Sequence, residues 1–167
     1  MMRHIISILL QNEAGALSRV ASMFSSRGYN IESLTVAATH VPEVSRLTMV
    51  TLGEDAVIAQ IINQSRKLVD VLEIADITSR AHLESEIMIV KVAATGANRG
   101  AVAEFTDERY GIVLDDTEHT LTLQFTGGAR HISSVLAELR EVAEIIELAR
   151  SGTAALERGD AVLAPPA

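Results

Sequence analysis

The sequence predicts an α+β fold of two βαββαβ domains in tandem, each an antiparallel four-stranded sheet with two helices on one face. Three observations predict it. A chain of 167 residues has room for two small units of about 75–90 residues each. Apolar residues make up 48% of it and aromatic residues only 3%, so it builds cores, and builds them from Ile, Val, Leu and Ala. Strand-like and helix-like patterns then follow one another in the same order twice.

Residues 4–10 (HIISILL) are a nearly continuous β-branched and aliphatic run, the signature of a buried strand. A helix over 16–27 follows, with Leu17, Val20, Ala21 and Phe24 spaced to make one apolar face. Gly28 supplies a left-handed stop, with Arg27 in the last turn. Residues 31–38 form a second strand, 39–44 a hairpin loop containing Pro42, and 45–52 a third strand. Gly53-Glu54-Asp55 leads into a helix over 55–67 that turns Ile58, Ile61 and Ile62 inward, and 69–77 is a fourth strand. A polar stretch at 78–82 reads as a linker. The order then recurs: a strand at 86–94, a weaker helix at 98–110, strands at 111–116 and 121–125, a helix at 129–139 and a last strand at 145–149. In the second long helix of this half, Ile132, Val135, Leu136 and Leu139 keep helical spacing. Each half thus has the ferredoxin-like order, which places both helices on one sheet face. The expected domains are 1–77 and 83–159, with a loosely held tail at 160–167. The opposite sheet faces also carry aliphatic side chains, so they need a cover, and self-association into a homodimer is the expected one.

Composition excludes several functions. A net charge of −8 repels a phosphate backbone, and the scarcity of aromatics leaves little to stack on bases, so no nucleic-acid partner is expected. No apolar run approaches a membrane span and no small-residue cleavage pattern is present, so the expected location is cytoplasmic, with an organelle as the alternative, and no membrane partner is expected. The absence of cysteine removes disulfides, thiolate metal sites and thiol nucleophiles. The five histidines lack two-histidine metal spacing, and no GxSxG, GxxxxGK or strand-linked GxGxxG string occurs. No catalytic residue, no metal site and no cofactor are therefore expected in this chain.

One stretch points to chemistry. QNEAGALSRV (11–20) carries a strand into a helix through a glycine. Such a junction directs free backbone N–H groups at one point, suited to a small carboxylate. Asn12 can donate and accept hydrogen bonds, and Gly15 allows close backbone approach. The same residues also suit a plain turn and helix cap, which spacing alone favours. Asn30, after the Gly28 stop, is either a turn residue or an amide offered across an interface, with Ile31 and Leu34 as an apolar wall.

Longer strings carry a resemblance. NEAGALSRV (12–20), RGYNIESLTV (27–36), SRLT (45–48), KLVDV (67–71), IVKV (89–92), ARSG (149–152) and LERG (156–159) together resemble the small, regulatory subunits of acetolactate synthase. The resemblance implies that the N-terminal half is an ACT domain, a module that binds small regulatory molecules. It implies a non-catalytic subunit that binds and activates a separate catalytic subunit, the latter holding thiamine diphosphate, magnesium and FAD. It further implies feedback inhibition by a branched-chain amino acid, L-valine, held between the ACT domains of two subunits. Matched by motif, Asn12 and Gly15 contact the effector, with Ala14, Ala16 and Leu17 in the same loop, and Asn30 with Ile31 comes from the other protomer. The alternative is an amino-acid-sensing ACT module serving a different biosynthetic enzyme.

Overall fold

The computed structural model describes residues 2–165. Met1 and the last two residues of the expected tail, Pro166 and Ala167, lie outside the described residues. The chain divides into two compact units: the chain up to Leu83 together with residues from Thr153 onward, and Glu84–Gly152.

The first unit contains β1 (Met2–Gln11), α1 (Ala16–Ser25), β2 (Ile31–Ala38), β3 (Val44–Gly53), α2 (Asp55–Ser65) and β4 (Val71–Asp76). Its sheet order is β2-β3-β1-β4, with all three pairings antiparallel. This is the ferredoxin-like arrangement, with β1 and β3 central and β2 and β4 at the edges. The central position explains the unbroken apolar run: seven consecutive residues of β1 are buried, because both faces are covered. On one face Ile6, Ile8 and Leu10 pack with Val20, Phe24, Leu47, Met49, Ile58, Ile61 and Ile74, joining the strands to α1 and α2. On the other face lie Ile5, Val50, Ala75 and Ile77.

That second face corrects two expectations. Its cover includes a stretch of the same chain: a strand at Ala154–Glu157, where the sequence reading ended the strands at 149. Ala155 is 5% exposed and packs with Ile5, Val50, Ala75 and Ile77, as does Leu163 of the expected loose tail. Arg46 Nη2 donates to the Ala155 carbonyl at 3.3 Å, Arg80 pairs with Glu157 at 2.8 Å, and the Arg158 N–H donates to Ala81 O at 2.8 Å. Burial lowers the Arg46 guanidinium from its ordinary value, and the Glu157 charge opposes that. The strand escaped sequence reading because it buries its small residue and exposes Leu156, the reverse of a hydrophobic pattern. Ala155→Asp puts a carboxylate among four aliphatic side chains. The expected outcome is a lowered melting temperature of the first unit and increased binding of a hydrophobic dye, checked by calorimetry and fluorescence. The expected linker is also tied down: Thr78 Oγ1 accepts the Ile5 N–H at 2.9 Å, and the Ile77 N–H donates to Ile5 O at 3.0 Å.

The second unit repeats the topology. Its elements are β5 (His82–Ala93), α3 (Arg99–Glu108), β6 (Ile112–Asp116), β7 (Thr120–Gly127), α4 (Ala129–Val142) and β8 (Ile145–Arg150). They form the order β6-β7-β5-β8. Met88, Val90 and Val92 of β5 face Phe125, Leu123 and Leu121 of β7 in register. With Val102, Phe105, Ile132, Val135 and Leu139 they form the core. Gly111 is required where α3 turns into β6: a Cβ there would meet Phe125 Cε1 at 2.5 Å and Thr106 Cγ2 at 2.8 Å. Glu86, 4% exposed, is neutralised by Arg150, whose Nε donates to Oε1 at 2.7 Å. Among the described residues no helix is long and apolar enough to cross a membrane.

Candidate functional site

β1 ends at Gln11 and α1 begins at Ala16, leaving 12–15 as the connection. Gly15 occupies the N-cap with φ 88° and ψ −13°, the left-handed region that glycine enters without steric cost. Its carbonyl accepts the Arg19 N–H at 3.0 Å, and the Ala16 N–H turns back to Glu13 O at 3.3 Å. No side chain caps the helix. By position, the N–H groups of Leu17 and Ser18 therefore lack an intrahelical acceptor and lie at the positive end of the helix.

Asn12 is exposed and bridges this connection to the β2–β3 hairpin. Its N–H donates to Glu43 O at 2.8 Å, its Nδ2 to Pro42 O at 2.9 Å, and its Oδ1 accepts from Ser45 Oγ at 3.1 Å. One amide hydrogen and one acceptor direction of the side chain remain for another group. Asn12 is thus a turn-fixing residue with capacity to spare, so the two readings of it are compatible. Ala14 and Gly15 are exposed. Ala16 is 2% exposed, so its methyl belongs to the core and only its backbone borders the loop. Leu17 is 40% exposed, outside the apolar face expected of it. That face runs instead through Ala16, Val20 and Phe24, and Leu17 is left as an apolar wall at the helix start.

Asn30 and Ile31 are elsewhere. Ile31 is in register with Thr51, which is in register with His4. At the other end, Ser45 is in register with Leu10, beside the loop. Six residues of β1 separate the two ends, about 20 Å at about 3.3 Å per residue. Asn30, whose carbonyl accepts from Thr51 Oγ1 at 2.7 Å, therefore does not share a small ligand with Asn12 of the same chain.

Two residues missed by the sequence reading hold the loop. The Asp70 side chain is 3% exposed and takes both Nε and Nη2 of Arg19, at 2.5 and 2.7 Å. The Asp70 carbonyl accepts the Gln11 N–H at 2.9 Å. A carboxylate inside the apolar string KLVDV was the available signal, since a buried Asp needs a cation. The hydrogen bonds from Arg19 hold the Asp70 carboxyl below its ordinary value, against burial, which acts to raise it. A depressed carboxyl contributes its stability above the unfolded value of about 4 and loses it as pH falls through the folded value. The expected result is unchanged amide-exchange protection at Gln11 and Arg19 from pH 8 to 5, then loss in strong acid. Loss of protection between pH 7 and 5 would contradict the assignment. Among the described residues no group of three His, Cys, Asp or Glu side chains is placed to hold a metal ion.

Comparison with known proteins places the chain in a family. Residues 6–73 match the AHAS small subunit-like ACT domain, and residues 85–159 match the small subunit of acetolactate synthase. The chain is 48% identical to the acetolactate synthase isozyme 3 small subunit of Escherichia coli over 162 residues, covering 97% of this chain and 99% of that one. It is 44% identical to the acetolactate synthase small subunit of Buchnera aphidicola over 158 residues, covering 95% and 100%. The crystal structure of the acetolactate synthase small subunit from Thermotoga maritima superimposes with a TM-score of 0.86 at 27% identity, covering 96% of this chain and all of that one. With two ferredoxin-like units, an N-terminal ACT domain and matches along nearly its whole length, the chain belongs to the family of acetolactate synthase small subunits.

Proposed function

We propose that this chain is the regulatory subunit of an acetolactate synthase: it binds and activates a separate catalytic subunit and makes it subject to feedback inhibition by L-valine. Catalysis rests with the partner, which is expected to carry thiamine diphosphate, magnesium and FAD. The observation that carries the effector reading is the uncapped start of α1 at Gly15. The Leu17 and Ser18 N–H groups suit the amino-acid carboxylate, and the spare capacity of Asn12 suits its ammonium. Leu17 offers an apolar surface for a branched side chain. One methylene on such a surface is worth only about 1–3 kcal/mol, so discrimination among valine, leucine and isoleucine is partial.

The separation of Asn30 from Asn12 supports a site shared by two copies. β2 is an edge strand, with Leu34 and Val36 36% and 37% exposed, and an unpaired edge is a template for another strand. Antiparallel pairing of β2 with its symmetry mate brings the Asn30 end of one copy beside the Ala38 end of the other. Ala38 is in register with Ser45, whose hydroxyl bonds Asn12. In this arrangement Asn30 and Ile31 of one protomer complete the loop of its partner. An effector that bridges protomers favours one dimer arrangement, with coupling to the catalytic subunit of typically about 1–3 kcal/mol. Calorimetric titration of L-valine, with sedimentation of the same samples, tests this. Saturable heat from a dimer is expected; heat from a monomer would overturn the shared site.

A further inference from the structure

We infer that Asp70 is the positioning residue of the effector loop and that Arg19 is the lever through which it acts. The inference rests on the effector reading above and deepens it.

The loop has two ends, and Asp70 holds both. Its carbonyl fixes the Gln11 N–H, where β1 enters the loop, and its carboxylate takes two hydrogen bonds from Arg19, in the first turn after the loop. Bidentate pairing with a planar guanidinium sets direction as well as distance. The carboxylate is nearly fully buried while Arg19 remains half exposed, so the anchor is rigid and the lever reaches the surface. Residues 12–15 thus bridge two points set by one residue. The hydrogen bonds of Asn12 to the β2–β3 hairpin restrain the β1 end as well. On the helix side, next to the exposed Ala14 and Gly15, the restraint is the pair of hydrogen bonds from Arg19 to Asp70.

The same geometry gives Gly15 a second role. A Cβ on Gly15 would lie 2.8 Å from Arg19 Nη1 and 3.5 Å from its Cζ. The end of an arginine usually moves aside cheaply, but here moving it breaks the bond to Asp70. Gly15 therefore lacks a side chain for two reasons: its left-handed backbone and the guanidinium packed in the place of a Cβ. Arg19→Lys keeps the charge but loses the fork, and Asp70→Asn keeps the shape but loses the charge.

A double-mutant cycle on L-valine affinity tests the pair. Arg19→Gln, Asp70→Asn and the double variant are compared with wild type and with Gly15→Asp, using calorimetry for affinity and circular dichroism for folding. Each single variant is expected to weaken valine about tenfold or more, with the double variant no worse than either single. Faster amide exchange at Gln11 and Asn12, with Leu47 and Met49 unchanged, is the local signature that general destabilisation does not produce. Arg19→Lys, at an exposed position, keeps the test open if Asp70→Asn does not fold, and it is expected to weaken valine as well. If wild type binds, Gly15→Asp does not, and Arg19 and Asp70 variants bind as wild type, this inference fails while the effector reading stands. Absence of heat from wild type would overturn the effector reading and this inference with it.

Discussion

Gly15→Asp is expected to abolish L-valine binding, weakening it by about 100-fold or more, and to leave the fold and the activation of the catalytic subunit in place. Three effects converge at one position. The backbone stands at φ 88°, where Asp is tolerated better than most residues, which is why the fold survives. The new Cβ meets Arg19 Nη1 and drives the guanidinium from Asp70. The new carboxylate then sits at the positive end of α1, close to that guanidinium, and occupies the electrostatic position of the effector's own carboxylate. Calorimetry and valine inhibition of the reconstituted enzyme check it. Inhibition unchanged from wild type would remove the site from this loop.

Phe125→Ala is expected to cost the second unit about 3–5 kcal/mol, out of the roughly 5–15 kcal/mol that holds a typical domain together. Phe125 is 1% exposed and meets Phe105 edge-to-face, with ring centroids 6.2 Å apart and planes at 79°. Its ring also covers Gly111 so closely that no Cβ fits between them. With only three phenylalanines and no tryptophan in the chain, the aliphatic neighbours have little volume with which to refill the cavity. A fall in melting temperature of roughly 15 °C or more is expected for a unit of this size. A fall of only a few degrees would mean that Phe125 is not central to this core.

The sequence read far into the fold because the central strands announce themselves. Residues 4–10 and 86–94 are aliphatic runs, and each lies in an inner strand of its sheet, β1 and β5. The edge strand Ile31–Ala38 was legible to the residue, being set off by Gly28 on one side and the Pro42 hairpin on the other. Helix phase was less legible. Leu17 is the more hydrophobic choice for a core face, yet Ala16 is buried and Leu17 exposed, because the buried face of α1 runs through Ala16, Val20 and Phe24, one position out of phase with Leu17. The strand at Ala154–Glu157 was not legible, since its burial depends on a sheet face made about 80 to 150 residues earlier. The loop showed the same division. Its glycine and its helix start follow from adjacent residues. Its restraints do not: Asp70 is 51 positions from Arg19, and Pro42 is 30 from Asn12. Pairing over such distances is set by the topology that brings β3 and β4 beside β1, and no local pattern records it.

The most direct measurement is the rate of acetolactate formation by the catalytic subunit of an acetolactate synthase, alone and with this chain, each with and without L-valine. The catalytic subunit alone is expected to show little activity and little valine effect, with strong activation and valine inhibition once this chain is added. Gly15→Asp should restore activity in the presence of valine. A chain that neither activates the catalytic subunit nor changes its response to valine would contradict the account.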